Sequence, residues 1–185
     1  MAKRSEPILT IEDLDLMPDD GKRYELIGGE LYVSEHPALT HQRTLGNILY
    51  SIASQLRGNP IGEILPALQV TFSKVDAVIP DLIFISSSTR DTVVRDDRIT
   101  GAPDLAIEIV SPGATNSRRD RVAKRYLYAK FGVKEYWVVD PAVRQIEVYH
   151  HEGTALILSA TLSEDDEITS TLLPGYKCRV GDFFV

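Results

Sequence analysis

The sequence predicts a single α/β domain built on a mixed sheet, and three observations predict it. Two apolar runs, Ala77–Ser86 and Pro103–Pro112, read as strands with little polar surface. Two stretches with apolar residues at helical spacing bracket them. After Asp140 and Pro141 the chain alternates through segments that read as an antiparallel meander.

Taken in order, Tyr24–Glu35 ("YELIGGELYVSE") alternates about Gly28 and Gly29 and predicts a β-hairpin. Thr40 is a candidate N-cap for the first helix, in which Leu45, Ile48, Leu49, Ile52 and Leu56 recur at helical spacing before Gly58. Ile61–Ser73 predicts one or two extended segments, Val78–Ser86 a strand, and Asp104–Val110 another. The polar stretch Ser87–Gly101 between them reads as a loop with room for a short helix. The second helix is predicted over Ala114–Phe131, closed by Gly132. "KEYWVVD", "QIEVYHHEG" and "ALILSATL" form the meander, and "LLPGYKCRVGDFFV" gives a turn and a short terminal element.

The chain has 185 residues, 43% hydrophobic and 25% charged, which suits one domain, 1–185, with an N-terminal extension over 1–20 and a core over about 24–184. Its net charge of −7 argues against a surface that clamps nucleic acid throughout, and leaves room for a local basic patch. No apolar run approaches the roughly 20 residues of a membrane span. The basic start meets acids before any apolar stretch, unlike a secretory signal. Cys178 is the only cysteine, so no internal disulfide and no cysteine-based zinc site can form. A cytoplasmic protein fits best.

Asp81 and Glu108 interrupt the two apolar runs. An unpaired carboxylate buried there costs several kcal/mol or stays protonated. A divalent cation shared by the two would compensate, because hard cations take carboxylate oxygens; a buried Arg or Lys would do so as well. Mutual repulsion of the two acids without metal would make Asp81→Asn neutral or stabilising. Each acid alone reads more readily as structural. A lysine able to join them reverses the balance. On a helical wheel Asp120, Lys124, Leu127 and Phe131 share a face. Leu127 and Phe131 must face the core, so the stripe directs Lys124 back toward Glu108. The bland alternative is a surface Asp120–Lys124 pair.

"IPDLIFIS", "PDLAIEIVSP", "DRVAKRY" and "FGVKEYWVVDP", with "YELIGGELYVSEHPALTHQ" and "LLPGYKCRVGDFF", together resemble the Uma-type putative restriction endonuclease family of the PD-(D/E)xK nuclease-like superfamily. The resemblance spans about Tyr24–Phe184 and lies in the order and spacing of the motifs. It implies a restriction-endonuclease-like αβββαβ core with a mixed central sheet, an N-terminal β-hairpin and a C-terminal antiparallel extension. It also implies that Asp81 and Glu108 bind Mg²⁺ (or Mn²⁺). The motif lysine would fall at Val110. Superfamily members are known to move it to the following helix, where Lys124 matches.

Glu25 matches a family position and is a candidate third acid, against the alternative of an exposed hairpin carboxylate. His41 could reach the site from the first helix, or simply pack there. Asp104 reads as a structural acid that starts Glu108's strand. His150 and His151 read as neighbours on an edge strand facing opposite ways, a poor metal pair. Trp137 reads as core. Ser111 and Ser117 have no histidine in a suitable context, which excludes a nucleophile triad.

These groups suit metal-dependent phosphodiester hydrolysis, with an endonuclease acting on DNA as the leading expectation. Arg118, Arg119, Arg121 and Arg125 near the second helix start would steer the phosphate backbone. Two alternatives remain: a nuclease-fold binding or assembly module without the reaction, and a hydrolase of a small phosphodiester. A homodimer would serve cleavage of both strands, although no residue pattern speaks for it.

Overall fold

The computed structural model describes residues 8–34, 36–111 and 119–185, with side chains in the last span from Arg121 onward. Residues 114–118 of the span expected to form the second helix, which include Ser117 and Arg118, lie outside the described residues, as do the side chains of Arg119 and Asp120.

A short helix α1 (Ile11–Leu14) precedes the hairpin β1 (Arg23–Ile27) and β2 (Glu30–Ser34). Gly28 and Gly29 both have positive φ, 62° and 78°, as the two central residues of a type I′ hairpin turn require. Helix α2 then runs Leu39–Gly58. Its N-cap is Ala38, with no side-chain cap, so Thr40 lies inside the first turn rather than capping it.

Strands β3 (Gly62–Pro66) and β4 (Val70–Ser73) follow, then β5 (Asp76–Val78) and β6 (Leu82–Ser86). The expected strand Val78–Ser86 is therefore broken, and so is Ile61–Ser73. The physical reason is a corner. Pro80 has no N–H to continue a ladder, and Ala67, across from the next residue, Asp81, adopts φ 48°. The Ala67 N–H donates to the Asp81 carbonyl at 3.0 Å and ties the two bends together. On one side of the corner β4 and β5 join the hairpin sheet. On the other, β3 and β6 join the central sheet.

The polar stretch holds helix α3 (Ser87–Val93) and the small strands β7 (Val94–Arg95) and β8 (Arg98–Ile99). Next come β9 (Leu105–Ile109), a π-helical turn Arg119–Lys124, helix α4 (Arg125–Phe131), β10 (Glu135–Asp140), β11 (Gln145–Glu152) and β12 (Ala155–Ser163). A ribbon of β13 (Glu167–Thr169) and β14 (Lys177–Arg179) and a 3₁₀ turn, Val180–Phe184, end the chain.

Two mixed six-stranded sheets result, ordered β2-β1-β5-β4-β8-β7 and β12-β11-β10-β9-β6-β3. Within the second, the series α2-β3-β6-β9-α4-β10 is the αβββαβ core, with β4 and β5 bent out of it. β9 and β10 pair in parallel, as a helical crossover permits. Because β11 lies between β10 and β12, His150 and His151 sit on an interior strand, not on an edge.

Helix α2 packs Leu45, Ile48, Ile52 and Leu56 onto one face of the central sheet, against Leu82, Phe84, Ile107, Ile109, Trp137 and Val139. Ile48 and Ile52 are fully buried; each such burial is worth about 1.5–3 kcal/mol. On the opposite face, Leu127 and Tyr128 of α4 pack against Ala106, Val110, Tyr136 and Val138. Gly132 ends α4 at φ 84°, a left-handed C-cap. This second layer brings the start of α4 over Glu108.

Candidate active site

The corner explains the carboxylate in the first apolar run. Asp81 follows Pro80 just before β6 and is 2% exposed. The β6–β9 register pairs Leu82 with Ile107; continued by one residue, it sets Asp81 across from Glu108 on neighbouring antiparallel strands. The Ile109 N–H of β9 donates to Asp81 Oδ2 at 2.8 Å. Arg23 Nη1 on β1 donates to Oδ1 at 2.9 Å, and His41 Nε2 on α2 lies 3.1 Å from Oδ2. Burial by itself raises the Asp81 carboxyl; the bonds from His41, Arg23 and Ile109 outweigh it and hold the group below the usual carboxylate range.

Glu108, in the middle of β9, is 3% exposed. Lys124 Nζ donates to its Oε1 at 2.8 Å and lies 3.0 Å from Glu25 Oε1. Lys124 is the last residue of the π-helical turn and the N-cap of α4. Its ammonium and both its carboxylate partners are almost fully buried. The Tyr128 hydroxyl donates to the same Glu108 oxygen. Burial first, then the Glu108 charge, pushes the Tyr128 phenol far above its ordinary value, so it stays a donor. Glu25 is not an exposed hairpin carboxylate: it is buried, and its Oε1 also accepts from the Ile79 N–H at 2.7 Å.

Two groups form around the corner. One is Asp81 with Arg23 and His41. The other is Glu108 with Lys124, Glu25 and Tyr128. Strand β1 carries a member of each, because Arg23 and Glu25 are two apart and share a face. Among the described residues, Arg23 and Lys124 bring basic groups to the three carboxylates Asp81, Glu108 and Glu25, and His41 lies beside Asp81. Among the described residues no group of three or more His, Cys, Asp or Glu is arranged to hold a metal ion. Asp81 and Glu108 do not face each other uncompensated, as the sequence expectation had it: Asp81 accepts from Arg23 and Glu108 from Lys124.

Arg23 and Tyr128 were missed by the sequence reading. Arg23 was legible as the same-face neighbour of Glu25, and Tyr128 as the residue one turn after Lys124. Val110, at the motif lysine's position, packs against Leu127 and supplies no charge. The basic residues divide. Arg121 binds Asp140 at 2.6 Å and approaches Glu147 at 3.9 Å. The Arg125 guanidinium lies over the Tyr149 ring at 5.2 Å and the Tyr126 ring at 5.7 Å.

Elsewhere, His150 Nε2 lies 3.6 Å from Glu135, and His151 Nε2 lies 3.0 Å from the Ala129 carbonyl, so the two histidines face different partners. Trp137 is fully buried core. Among the described residues no helix is long and apolar enough to cross a membrane.

A model of the Uma2 family, described as "Putative restriction endonuclease", matches residues 11–181. No curated protein matches the chain. Among solved structures, one described as a putative nuclease belonging to DUF820 from Anabaena variabilis superposes with a TM-score of 0.77. It is 19% identical, over 95% of this chain and 97% of that one. The type IIG restriction endonuclease BpuSI gives a TM-score of 0.42 at 9% identity, over 76% of this chain and 15% of that one, a likeness too slight to argue from.

Proposed function

Because the chain belongs to the Uma2 family of putative restriction endonucleases, we propose that it is a metal-dependent phosphodiester hydrolase that cleaves DNA, with Asp81, Glu108 and Lys124 at its reacting centre. The observation that carries this reading is Lys124. A lysine from a helix is buried at 2% exposure against Glu108, on the strand beside Asp81. Burying an ammonium and several carboxylates together is costly, and a packed apolar core would be at least as stable.

Asp81 and Glu108 offer the carboxylate oxygens that a hard divalent cation takes, and Glu25 shares Lys124 with Glu108. Mg²⁺ or Mn²⁺ held there would polarise a phosphoryl oxygen and acidify water. The protein's own groups act around it. Lys124 holds a positive charge beside Glu108, where negative charge grows on the phosphate during hydrolysis. Tyr128 fixes the Glu108 carboxylate from the side of α4. His41 fixes Asp81 from the side of α2.

The test is supercoiled plasmid incubated with Mg²⁺ or Mn²⁺. Nicking or linearisation by the wild type, lost in Asp81→Asn and in Lys124→Ala, supports the reading. Hydrolysis of a chromogenic phosphodiester with plasmid untouched would point instead to a small substrate.

One observation favours a second reading, a binding or assembly module without the reaction: protein donors already meet all three carboxylates. A wild type whose melting temperature ignores Mg²⁺ and Mn²⁺, and which leaves plasmid intact, would put that reading first.

A further inference from the structure

Among the described residues, Lys124, His41 and Arg23 are the basic side chains at the cluster, and they differ in access. Lys124 and His41 have side chains 2% and 4% exposed, whereas Arg23 is 25% exposed. Of these three, Arg23 is the one that solvent reaches. Its guanidinium carries five N–H donors in a planar fork that matches phosphate. Among the described residues its one recorded side-chain bond is Nη1 to Asp81 Oδ1. Asp81 does not depend on Arg23 alone, since His41 and the Ile109 N–H both serve Oδ2. Oδ1 is the oxygen that Arg23 covers.

We propose that Arg23 is a phosphate-receiving latch on Asp81: the incoming phosphodiester of a nucleic acid draws its guanidinium away, and the freed Oδ1 becomes available to a divalent cation. This rests on the hydrolase reading above and gives it an order of events. Without nucleic acid, Arg23 and the cation compete for one carboxylate oxygen. With nucleic acid bound, the competition is lifted, so substrate and cation bind with positive coupling. Arg23 binds and releases; it takes no part in proton transfer.

The test uses two binding measurements on the full chain, because the latch moves them in opposite directions. Mn²⁺ alone is titrated by calorimetry. A duplex oligonucleotide is titrated by fluorescence anisotropy in Ca²⁺ over a range of salt. Arg23→Gln should bind Mn²⁺ more tightly than wild type in the absence of duplex. The same variant should bind duplex roughly tenfold more weakly, as expected for loss of a charge-assisted bond. Its log–log salt slope should be shallower by about 1. Arg23→Lys, which keeps the charge and loses the fork, should shift both in the same senses by less; it also serves if Arg23→Gln does not fold.

An Arg23→Gln variant that weakens both ligands shows that Arg23 merely props the corner, and the proposal falls. Unchanged affinities in both titrations overturn it equally, while leaving the hydrolase reading standing. A wild type that binds neither Mn²⁺ nor duplex removes the hydrolase reading and this inference with it.

Discussion

Pro80-Asp81 and Pro103-Asp104 are the same dipeptide at the entry to two neighbouring buried strands, and the two aspartates meet different company. Asp104 is 1% exposed. It accepts from the Ser86 N–H at 2.7 Å and the Thr89 hydroxyl at 2.9 Å, and pairs with Lys134, whose side chain is 57% exposed. It staples the end of β6 and the start of α3 to the loop before β10. Asp81 is bound instead by Arg23 and His41, which lie 58 and 40 residues away in the chain. In both, burial raises the carboxyl and hydrogen bonds bring it below its ordinary value. Neither burial nor the direction of that shift separates a staple from a site. The burial of the partners does: Lys134 is mostly exposed and holds Asp104 at little cost, whereas Arg23 is a quarter exposed and His41 almost fully buried, and burying such groups needs a further reason.

The largest expected effect breaks the symmetry of the two dipeptides outright. Asp81→Asn should lower metal-dependent plasmid cleavage by roughly a hundred- to a thousandfold, the scale of losing one group that stabilises transition-state charge. Asp104→Asn should leave the specific activity of the folded protein near wild type while lowering its melting temperature. Comparable losses of specific activity in both variants would erase the distinction.

Next in size is stability at the lysine. From the sequence, Lys124→Ala looks nearly neutral, because alanine is a good helix former. The structure reverses that expectation, since the change leaves Glu25 and Glu108 buried without their shared cation. A loss of about 3–5 kcal/mol is expected in denaturant titration. Mg²⁺ should then stabilise Lys124→Ala more than wild type, by mass action at two carboxylates that have lost the ammonium they shared. Asp81→Asn should likewise destabilise, because it removes one partner of a buried pair. A stabilised Asp81→Asn would mean that the Arg23 and His41 contacts are not formed in solution.

Acid pH sharpens the comparison with a third buried acid. Asp81 and Asp104 have lowered folded values. Their stabilising contribution is complete above the unfolded value of about 3.9 and disappears as pH falls through the lower, folded value. Glu135 has the opposite sign: burial raises its carboxyl, and bonds from Ser170 and Trp137 do not fully offset it. The folded state then holds that proton more tightly than the unfolded chain, so stability falls as pH rises from the unfolded value through the folded one. Glu135→Gln should therefore melt higher than wild type at neutral pH, and the gap should narrow under acid. A gap that widens toward acid would contradict the assignment.

The smallest effect concerns the fixing of Glu108. Tyr128→Phe keeps the ring's contacts with Phe72 and Tyr136 and removes one hydroxyl donor. About 1–3 kcal/mol of stability should go in denaturant unfolding, much less than for Lys124→Ala. A larger loss than that of Lys124→Ala would make Tyr128, not the lysine, the main support of Glu108.

The sequence by itself determined the order of elements, the face of α2 that is buried, and the acids worth attention. These are local quantities: apolar spacing, glycine turns, and a charge inside an apolar run have the same meaning whatever the chain does elsewhere. It also placed Lys124 on a stripe with Leu127, because helical periodicity carries a residue's direction with it. Only the tertiary structure decided that one extended run is two strands in different sheets, that Glu25 is buried, and that Asp81 already has Arg23 and His41. Those outcomes depend on what lies across a corner from Pro80 and Ala67, on chain segments tens of residues apart. A helical stripe pointed Lys124 toward Glu108 across a short connection, but no local pattern encodes a partner that lies tens of residues away, as Arg23 and His41 do from Asp81. The partner is set by which distant strand or helix the packing of the core happens to bring beside it.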